Sequence, residues 1–293
     1  MREPIHNPIC RANHMGLWSI EQHYLSRAVA AIKAGTWPAR QAAVDVAGGE
    51  QAPRGWQLTA DGIGLIQIRG AMMKGWSKYA DVDTLAVRRA VREAAADERA
   101  KAILLVIDSP GGSAPGTQEL AEDVAAAAEK KPTYAFIEDL GASAAYWVAS
   151  QAKRISVNAA GEVGSIGVFT VVYDTTEAAK MEGVAVHVLS TGLYKGAFMD
   201  GAPILPEHLA YLKERIELTA GFFFAGVKAG RGLDDDELAA VTEGRVWGAE
   251  QAKKLGLVDR VESYESAIDG ILEDLSETEA RQRAARIRAK AAK

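Results

Sequence analysis

Residues Ala102–Ile107 read AILLVI, six apolar side chains without a polar interruption. A strand with one wet face alternates apolar and polar residues. An unbroken apolar run of this length marks a strand buried on both faces, which is the environment of a parallel sheet covered by helices. The run stops at Asp108-Ser109-Pro110-Gly111-Gly112 and leads into a helical pattern from about Thr117 to Glu129. The same strand–turn–helix rhythm recurs. A strand is expected at Gly64–Ile68, before a helix over Asp83–Ala96 with apolar Leu85, Val87, Ala90 and Val91. Another is expected at Thr133–Ile137, followed by a turn at Asp139–Ala142 and a helix beginning near Ser143. Further strands are expected near Ile155–Val157, Val168–Val172 and Val184–Leu189, and a long helix over Pro206–Lys228. Repeated units of this kind define an α/β fold with a largely parallel sheet.

These signals fill residues 61–263, the expected main domain. Residues 1–60 carry one helical pattern, Ile20–Ala34, stopped by Gly35, and a loop rich in glycine and polar residues at 46–62. They read as an N-terminal helical arm and linker. Residues 264–293 read as a charged C-terminal tail, helical or disordered, whose last 13 residues hold six basic and no acidic side chains. With 34 Lys and Arg against 39 Asp and Glu, the net charge of −5 supplies no large basic field. Specific nucleic-acid binding is therefore not expected. The single cysteine, Cys10, excludes an intramolecular disulfide framework and favours a reducing compartment. No apolar run approaches the roughly 18 residues of a membrane span, so the expected location is cytoplasmic. No metal-ligand spacing or nucleotide loop appears, and no metal or cofactor is expected.

Ligands of a parallel sheet gather beyond the carboxyl ends of its strands. Three sequences are candidates, the first of them at such a strand end. In the turn after AILLVI, Gly111 and Gly112 let backbone N–H groups approach a ligand, as in an oxyanion hole, or simply make a tight turn. In Gly141-Ala142-Ser143-Ala144-Ala145-Tyr146-Trp147, Ser143 stands at a strand-to-helix junction. It is either a nucleophile with the Ala144 N–H as an oxyanion donor, or an ordinary helix cap. In Val163-Gly164-Ser165-Ile166-Gly167-Val168, Ser165 either orients a catalytic group or belongs to a glycine-punctuated turn. A serine nucleophile needs a base. His187 lies in an apolar alternation and His208 near a helix start, so both read as structural. Lys195, in Gly192-Leu193-Tyr194-Lys195-Gly196, is the other candidate. A lysine, with a reference pKa of about 10.4, acts as a base only when burial lowers that value. A solvated surface role is the alternative.

Taken together, DSPGG at 108–112, GASAAYW at 141–147, VGSIGV at 163–168 and GLYKG at 192–196 resemble the signal peptide peptidase A, or protease IV, family of serine-lysine peptidases. Gly244-Arg245-Val246-Trp247 and Gly256-Leu257-Val258-Asp259 resemble its C-terminal signature. The resemblance spans about residues 62–263. It implies a Clp protease/crotonase-like fold of repeated ββα units. It also implies Ser143 as nucleophile, Lys195 as general base, Ser165 as the serine that orients the lysine, and an oxyanion hole at Gly111 and Gly112. Ala144 is our second oxyanion donor. The family forms rings or domes in which the lysine can come from a neighbouring subunit, so a homo-oligomer with shared sites is expected.

The implied activity is hydrolysis of a protein or peptide substrate through an acyl-enzyme. One catalytic domain without a membrane anchor looks more like the phage branch, which processes capsid, portal and scaffold proteins during head maturation. Leu17-Trp18-Ser19-Ile20 loosely resembles the starts of such proteases. The expected location then extends to the host cytoplasm or the immature phage head. The alternatives are a soluble bacterial signal-peptide-peptidase-like enzyme, a crotonase-like acyl-CoA enzyme and a non-catalytic assembly scaffold.

Overall fold

The computed structural model describes residues 17–21, scattered positions between 24 and 31, and residues 55–75 and 80–291. Its strands, in chain order, are β1 (Trp18–Ile20), β2 (Gln57–Leu58), β3 (Ile63–Arg69), β4 (Met72–Met73), β5 (Val82–Asp83) and β6 (Ala102–Ser109). They continue with β7 (Gly111–Ser113), β8 (Thr133–Ala142), β9 (Arg154–Val157), β10 (Glu162–Gly164), β11 (Val246–Gly248) and β12 (Arg260–Val261). The helices are α1 (Thr84–Ala96), α2 (Thr117–Lys130), α3 (Ala144–Ala149), α4 (Thr176–Met181), α5 (Pro206–Arg231), α6 (Asp235–Val241), α7 (Ala249–Lys254) and α8 (Tyr264–Ala291).

The main sheet runs β2-β3-β6-β8-β10-β11, and β9 pairs with the first half of β8 while β10 pairs with its second half. Strands β3, β6, β8, β9 and β10 are mutually parallel where they pair. A second, smaller sheet runs β1-β7-β4-β5. The chain therefore repeats one unit: a main-sheet strand, a short strand in the small sheet, then a helix. β3, β4 and α1 make one such unit, and β6, β7 and α2 the next. This is the α/β, ββα architecture expected from the sequence.

The central strand β6 is buried on both faces, as its unbroken apolar run requires. Ile103, Leu105 and Ile107 pack with Leu120 and Val124 of α2 and Val91 of α1. Leu104 and Val106 face the other way, onto Ala267, Ile271 and Leu275 of α8. Full burial of each such side chain contributes roughly 1.5–3 kcal/mol. Helix α1 starts where Asp83 Oδ1 accepts the Leu85 N–H at 2.9 Å, a side-chain cap for an otherwise unpaired donor.

Beyond residue 263, Ala267, Ile271 and Leu275 of α8 cover one face of the main sheet, and the described residues from Ser276 onward are exposed. Trp56 is buried against the core, β2 extends the main sheet, and β1 belongs to the small one. Several expectations are corrected here. The expected helix at 20–34 is helical at its described positions Tyr24, Ser26, Arg27, Ala30 and Ala31, but Ile20 is in β1. The loop at 46–54 lies outside the described residues. The expected strands at 168–172 and 184–189 do not form. The first makes only a bridge between Phe169 and Trp18, and the second is an exposed segment without regular structure. Among the described residues, the apolar alternation at 184–189 has no strand to pair with.

Candidate active site

The carboxyl ends of β6, β8 and β10 lie side by side. Ser109 is in register with Gly141, and Ala142 with Gly164. The residues that follow in the two neighbouring parallel strands are Ser143 and Ser165, so the ladder brings these serines together at a strand spacing of about 4.8 Å. The Ser143 N–H donates to the Gly164 carbonyl at 2.7 Å and locks that juxtaposition. A register shift between Ile107 and Ser109 puts a bulge in the β6–β8 ladder just before the serine. Such bulges re-aim a strand end.

Ser143 has φ 57° and ψ −122°, a conformation that a residue with a Cβ adopts at a cost of order 1–3 kcal/mol. It stands at the cap position of α3, yet its hydroxyl makes no capping bond. A sharp strand-to-helix turn of this kind can project a side chain beyond the end of a sheet. The helix behind it explains the small residues of the motif. Every residue of α3 is buried. Ala144 and Ala145 leave room for close packing, Trp147 stacks on Phe223 of α5 at 4.8 Å, and the Tyr146 hydroxyl donates to the Leu257 carbonyl. Complete burial raises the Tyr146 pKa above its usual value.

Ser165 also has a positive φ, 52°. Its N–H donates to the Arg245 carbonyl, and β10 pairs with β11 immediately beside it. The Gly244–Trp247 motif therefore braces the Ser165 turn. Gly164 must be glycine: its φ is +124°, and a Cβ would lie 2.6 Å from the Arg245 carbonyl oxygen.

The two glycines of the DSPGG turn are not equivalent. The Gly111 N–H donates to Ser109 Oγ, whose hydroxyl in turn donates to the Gly70 carbonyl. That turns the Gly111 N–H into its own turn. Gly112 is the middle residue of β7, with the Met72 backbone so close that a Cβ would come within 1.8 Å of its carbonyl oxygen. The Ala144 N–H is the first of α3, where helical geometry supplies no intrahelical acceptor.

Lys195 is not brought to this cluster within one chain. It is exposed, on a segment that lines a shallow depression with Val186, Leu193, Pro203 and His208, and neither serine lines that depression. His208 holds the segment to α5. Its Nδ1 accepts the Leu205 N–H at 3.3 Å, so the neutral ring carries its proton on Nε2, which faces the Leu193 carbonyl at 3.0 Å. His208 is thus structural, as expected, and His187 is exposed.

One element of this site was missed from sequence. β1 pairs antiparallel with β7, and the Trp18 and Phe169 backbones exchange hydrogen bonds at 2.8 and 2.9 Å. Trp18-Ser19-Ile20 carried the signal, but three residues are too few for a pattern.

The fold and the strand-end serines define an α/β protein with two serine turns at the carboxyl ends of adjacent parallel strands. The model of peptidase family S49 matches residues 125–277, more than half of the chain, and the protein belongs to that family. It is similar to protease 4 of Salmonella typhi, 29% identical over 211 residues and covering 72% of this chain and 34% of that protein. It is 31% identical over 183 residues to the chloroplastic serine protease SPPA of Arabidopsis thaliana, covering 61% of this chain and 26% of that one. It is also 31% identical over 181 residues to capsid assembly protease C of Escherichia phage lambda, covering 61% of this chain and 40% of the phage protein. The chain thus spans well under half the length of these three relatives. Among the described residues, no helix is long and apolar enough to cross a membrane.

Proposed function

We propose that this protein is a serine endopeptidase with Ser143 as nucleophile and Lys195 of a second copy as general base. The observation that carries this reading is the strained Ser143 turn, set beside the Ser165 turn at the ends of adjacent strands, with Gly112 in β7 just beyond the end of β6. The neutral lysine amine takes the Ser143 hydroxyl proton as Oγ attacks the scissile carbonyl. The Gly112 and Ala144 N–H groups receive the oxyanion, and the helix N-terminus favours the developing charge. The lysine then protonates the leaving amine. A water, activated by the same lysine, releases the acyl group. Ser165 accepts or donates a hydrogen bond at the amine and orients it.

The second copy is required by burial. A lysine works as a base near neutrality only in a desolvated setting, and Lys195 is exposed in the single chain. Its segment displays Val184, Val188, Leu189, Leu193 and Tyr194 to solvent, from 41% to 95% exposed. An apolar surface of this kind fits another copy, which would bury both the lysine and its neighbours.

The natural substrate in this reading is a phage scaffold, portal or capsid protein, by similarity to the lambda capsid assembly protease. The test is intact mass of wild type and Ser143→Ala, before and after incubation with an unfolded protein. Fragments from wild type alone are the expected result; equal masses from both, with folding and assembly verified, refute the peptidase reading. Co-expression with the capsid proteins of the same genome then tests the substrate: unchanged capsid and scaffold masses count against it.

A further inference from the structure

β1 occupies a groove with two walls. One wall is β7, with Trp18 in register with Ser113, Ser19 with Gly112 and Ile20 with Gly111. The other is Phe169, four residues beyond Ser165, whose N–H and carbonyl both bond the Trp18 backbone. The pattern of the first ladder can be worked out. The Glu21 N–H donates to the Pro110 carbonyl at 2.7 Å, and the Ala114 N–H donates to the Leu17 carbonyl at 3.0 Å. Hydrogen-bonded pairs recur at every second residue of an antiparallel ladder, so the pair between these two is Ser19–Gly112. The Gly112 N–H is thereby directed at the Ser19 carbonyl. The donor assigned above to an oxyanion already faces a peptide carbonyl of the chain itself. Ile20, 4% exposed, reaches a cavity of about 470 Å³ that Ser165, Val168, Phe169, Ala220 and Phe224 also line. Beyond the strand, Glu21 caps the turn by accepting the Tyr24 N–H, and the Tyr24 hydroxyl reaches Asp81 at 3.3 Å.

We propose that Leu17–Glu21 is an intrachain pseudosubstrate: it fills the peptide-binding groove as an added antiparallel strand, and a peptide enters only by displacing it. The inference rests on the peptidase reading for the identity of the groove. The physical ground is that a peptide which adds a strand is held by main-chain hydrogen bonds, with alternate side chains setting preference. β1 uses the main-chain groups of Gly112 and Phe169 that such a peptide would need. A tethered strand competes at the effective concentration its tether gives it, commonly millimolar. The occupied fraction lowers apparent affinity for any outside peptide in proportion. The buried Ile20 adds a preference: the cavity beside Ser165 takes an aliphatic side chain.

The test uses the full chain carrying Ser19→Pro, which removes the N–H that completes the Ser19–Gly112 pair. In a Ser143→Ala background, binding of a fluorescent Leu-Trp-Ser-Ile-Glu peptide is followed by anisotropy, which needs no turnover. At least tenfold tighter binding to the Ser19→Pro protein is expected, and an Ile→Asp version of the peptide should lose it. Equal binding by both proteins, with unchanged melting temperature, overturns the proposal. If Ser19→Pro fails to fold, Trp18→Cys with Ser113→Cys in a Cys10→Ser background replaces it, since that pair faces across a non-hydrogen-bonded position. The oxidised form should bind no peptide and the reduced form should regain binding; binding by the fully cross-linked protein overturns the inference. Hydrolysis by the same proteins with Ser143 intact is read separately. Peptide binding without hydrolysis refutes the peptidase reading and leaves the occupied groove standing. Hydrolysis unaffected by the cross-link does the reverse.

Discussion

The ends of β6, β8 and β10 and the segment from Val168 to Leu205 carry the two halves of one proposed reaction, and they are built in opposite ways. At the strand ends, Ser143 is 1% exposed, its backbone is strained, and its neighbours are fixed by a ladder, a bulge and a fully buried helix. Along the segment, Lys195 is exposed, and apart from the short helix α4 and the Phe169 bridge there is no regular structure. A nucleophile and an oxyanion hole must be preorganised to within fractions of an ångström, which a rigid sheet end can do. A base delivered from another copy must first reach outward. On the proposed reading, the contrast is that of a rigid half-site in the single chain and a second half that a further copy would supply.

The sharpest way to break that comparison is to separate the halves on different copies. Ser143→Ala and Lys195→Ala should each lower turnover by on the order of 10⁴-fold or more, because members of one catalytic unit fail together. If the base comes from a second copy, mixing and reassembling the two inactive proteins should regain about a quarter of wild-type activity, since half the serines and half the lysines are intact and pair at random. No recovery, with mixed oligomers demonstrated by mass, would put the lysine and serine of one site in one chain.

The next largest effect falls on the rigid half. Gly112→Ala forces a Cβ against the Met72 carbonyl, an atom of the backbone that cannot swing aside. β4 and β7 must part, and the Gly112 N–H moves with them. A loss in kcat of about 10²–10³ is expected, the cost of one misplaced oxyanion donor. Destabilisation of about 1–3 kcal/mol should accompany it, the range for overpacking a tight site. Urea unfolding and steady-state kinetics on the same preparation measure both. A fully active Gly112→Ala enzyme would remove this residue from the oxyanion hole.

What the sequence revealed divides along the same line. The rigid half was legible because its physics is local. AILLVI announces a strand buried on both faces, and a serine after Gly-Ala at a helix start is already a candidate. The segment around Lys195 misled because Val184, Val186 and Val188 alternate as a strand does, while no strand among the described residues pairs with them. The inequality of Gly111 and Gly112 was invisible, since it depends on Ser109 Oγ and on the Met72 backbone, 40 residues earlier in the chain. α8 was read as a tail for a related reason. Its charge dominates the composition, and only the spacing of Ala267, Ile271 and Leu275 shows the stripe that covers β6 and β8.

A stability experiment sharpens the comparison further. Phe223 is fully buried on α5, stacked on Trp147 of the helix that follows Ser143, with an interplanar angle of 12°. Phe223→Ala should cost about 3–5 kcal/mol. The melting temperature should drop by roughly 10 °C at this chain length, while Ser143-dependent turnover well below that temperature changes only a few-fold. A loss of turnover without a change in melting would mean that the ring positions the site rather than supporting the fold.

The smallest effect on the single chain belongs to the segment, and it is the most informative for that reason. Leu189 is 95% exposed, so replacing it removes almost no buried contact within one copy. Leu189→Asp should therefore leave urea stability of the unassembled chain within about 0.5 kcal/mol of wild type. In an interface the same change places a carboxylate in an apolar contact without a partner, which typically costs several kcal/mol after relaxation. Sedimentation should then show smaller species, and activity should fall in step with assembly rather than with folding. Phe223→Ala and Leu189→Asp thus lose function by opposite routes, one by melting the half-site and the other by withholding its complement. If Leu189→Asp assembles and cleaves as wild type does, Leu189 is not at the copy-to-copy contact, and the surface that covers Lys195 must be sought around Leu193 and Tyr194 instead.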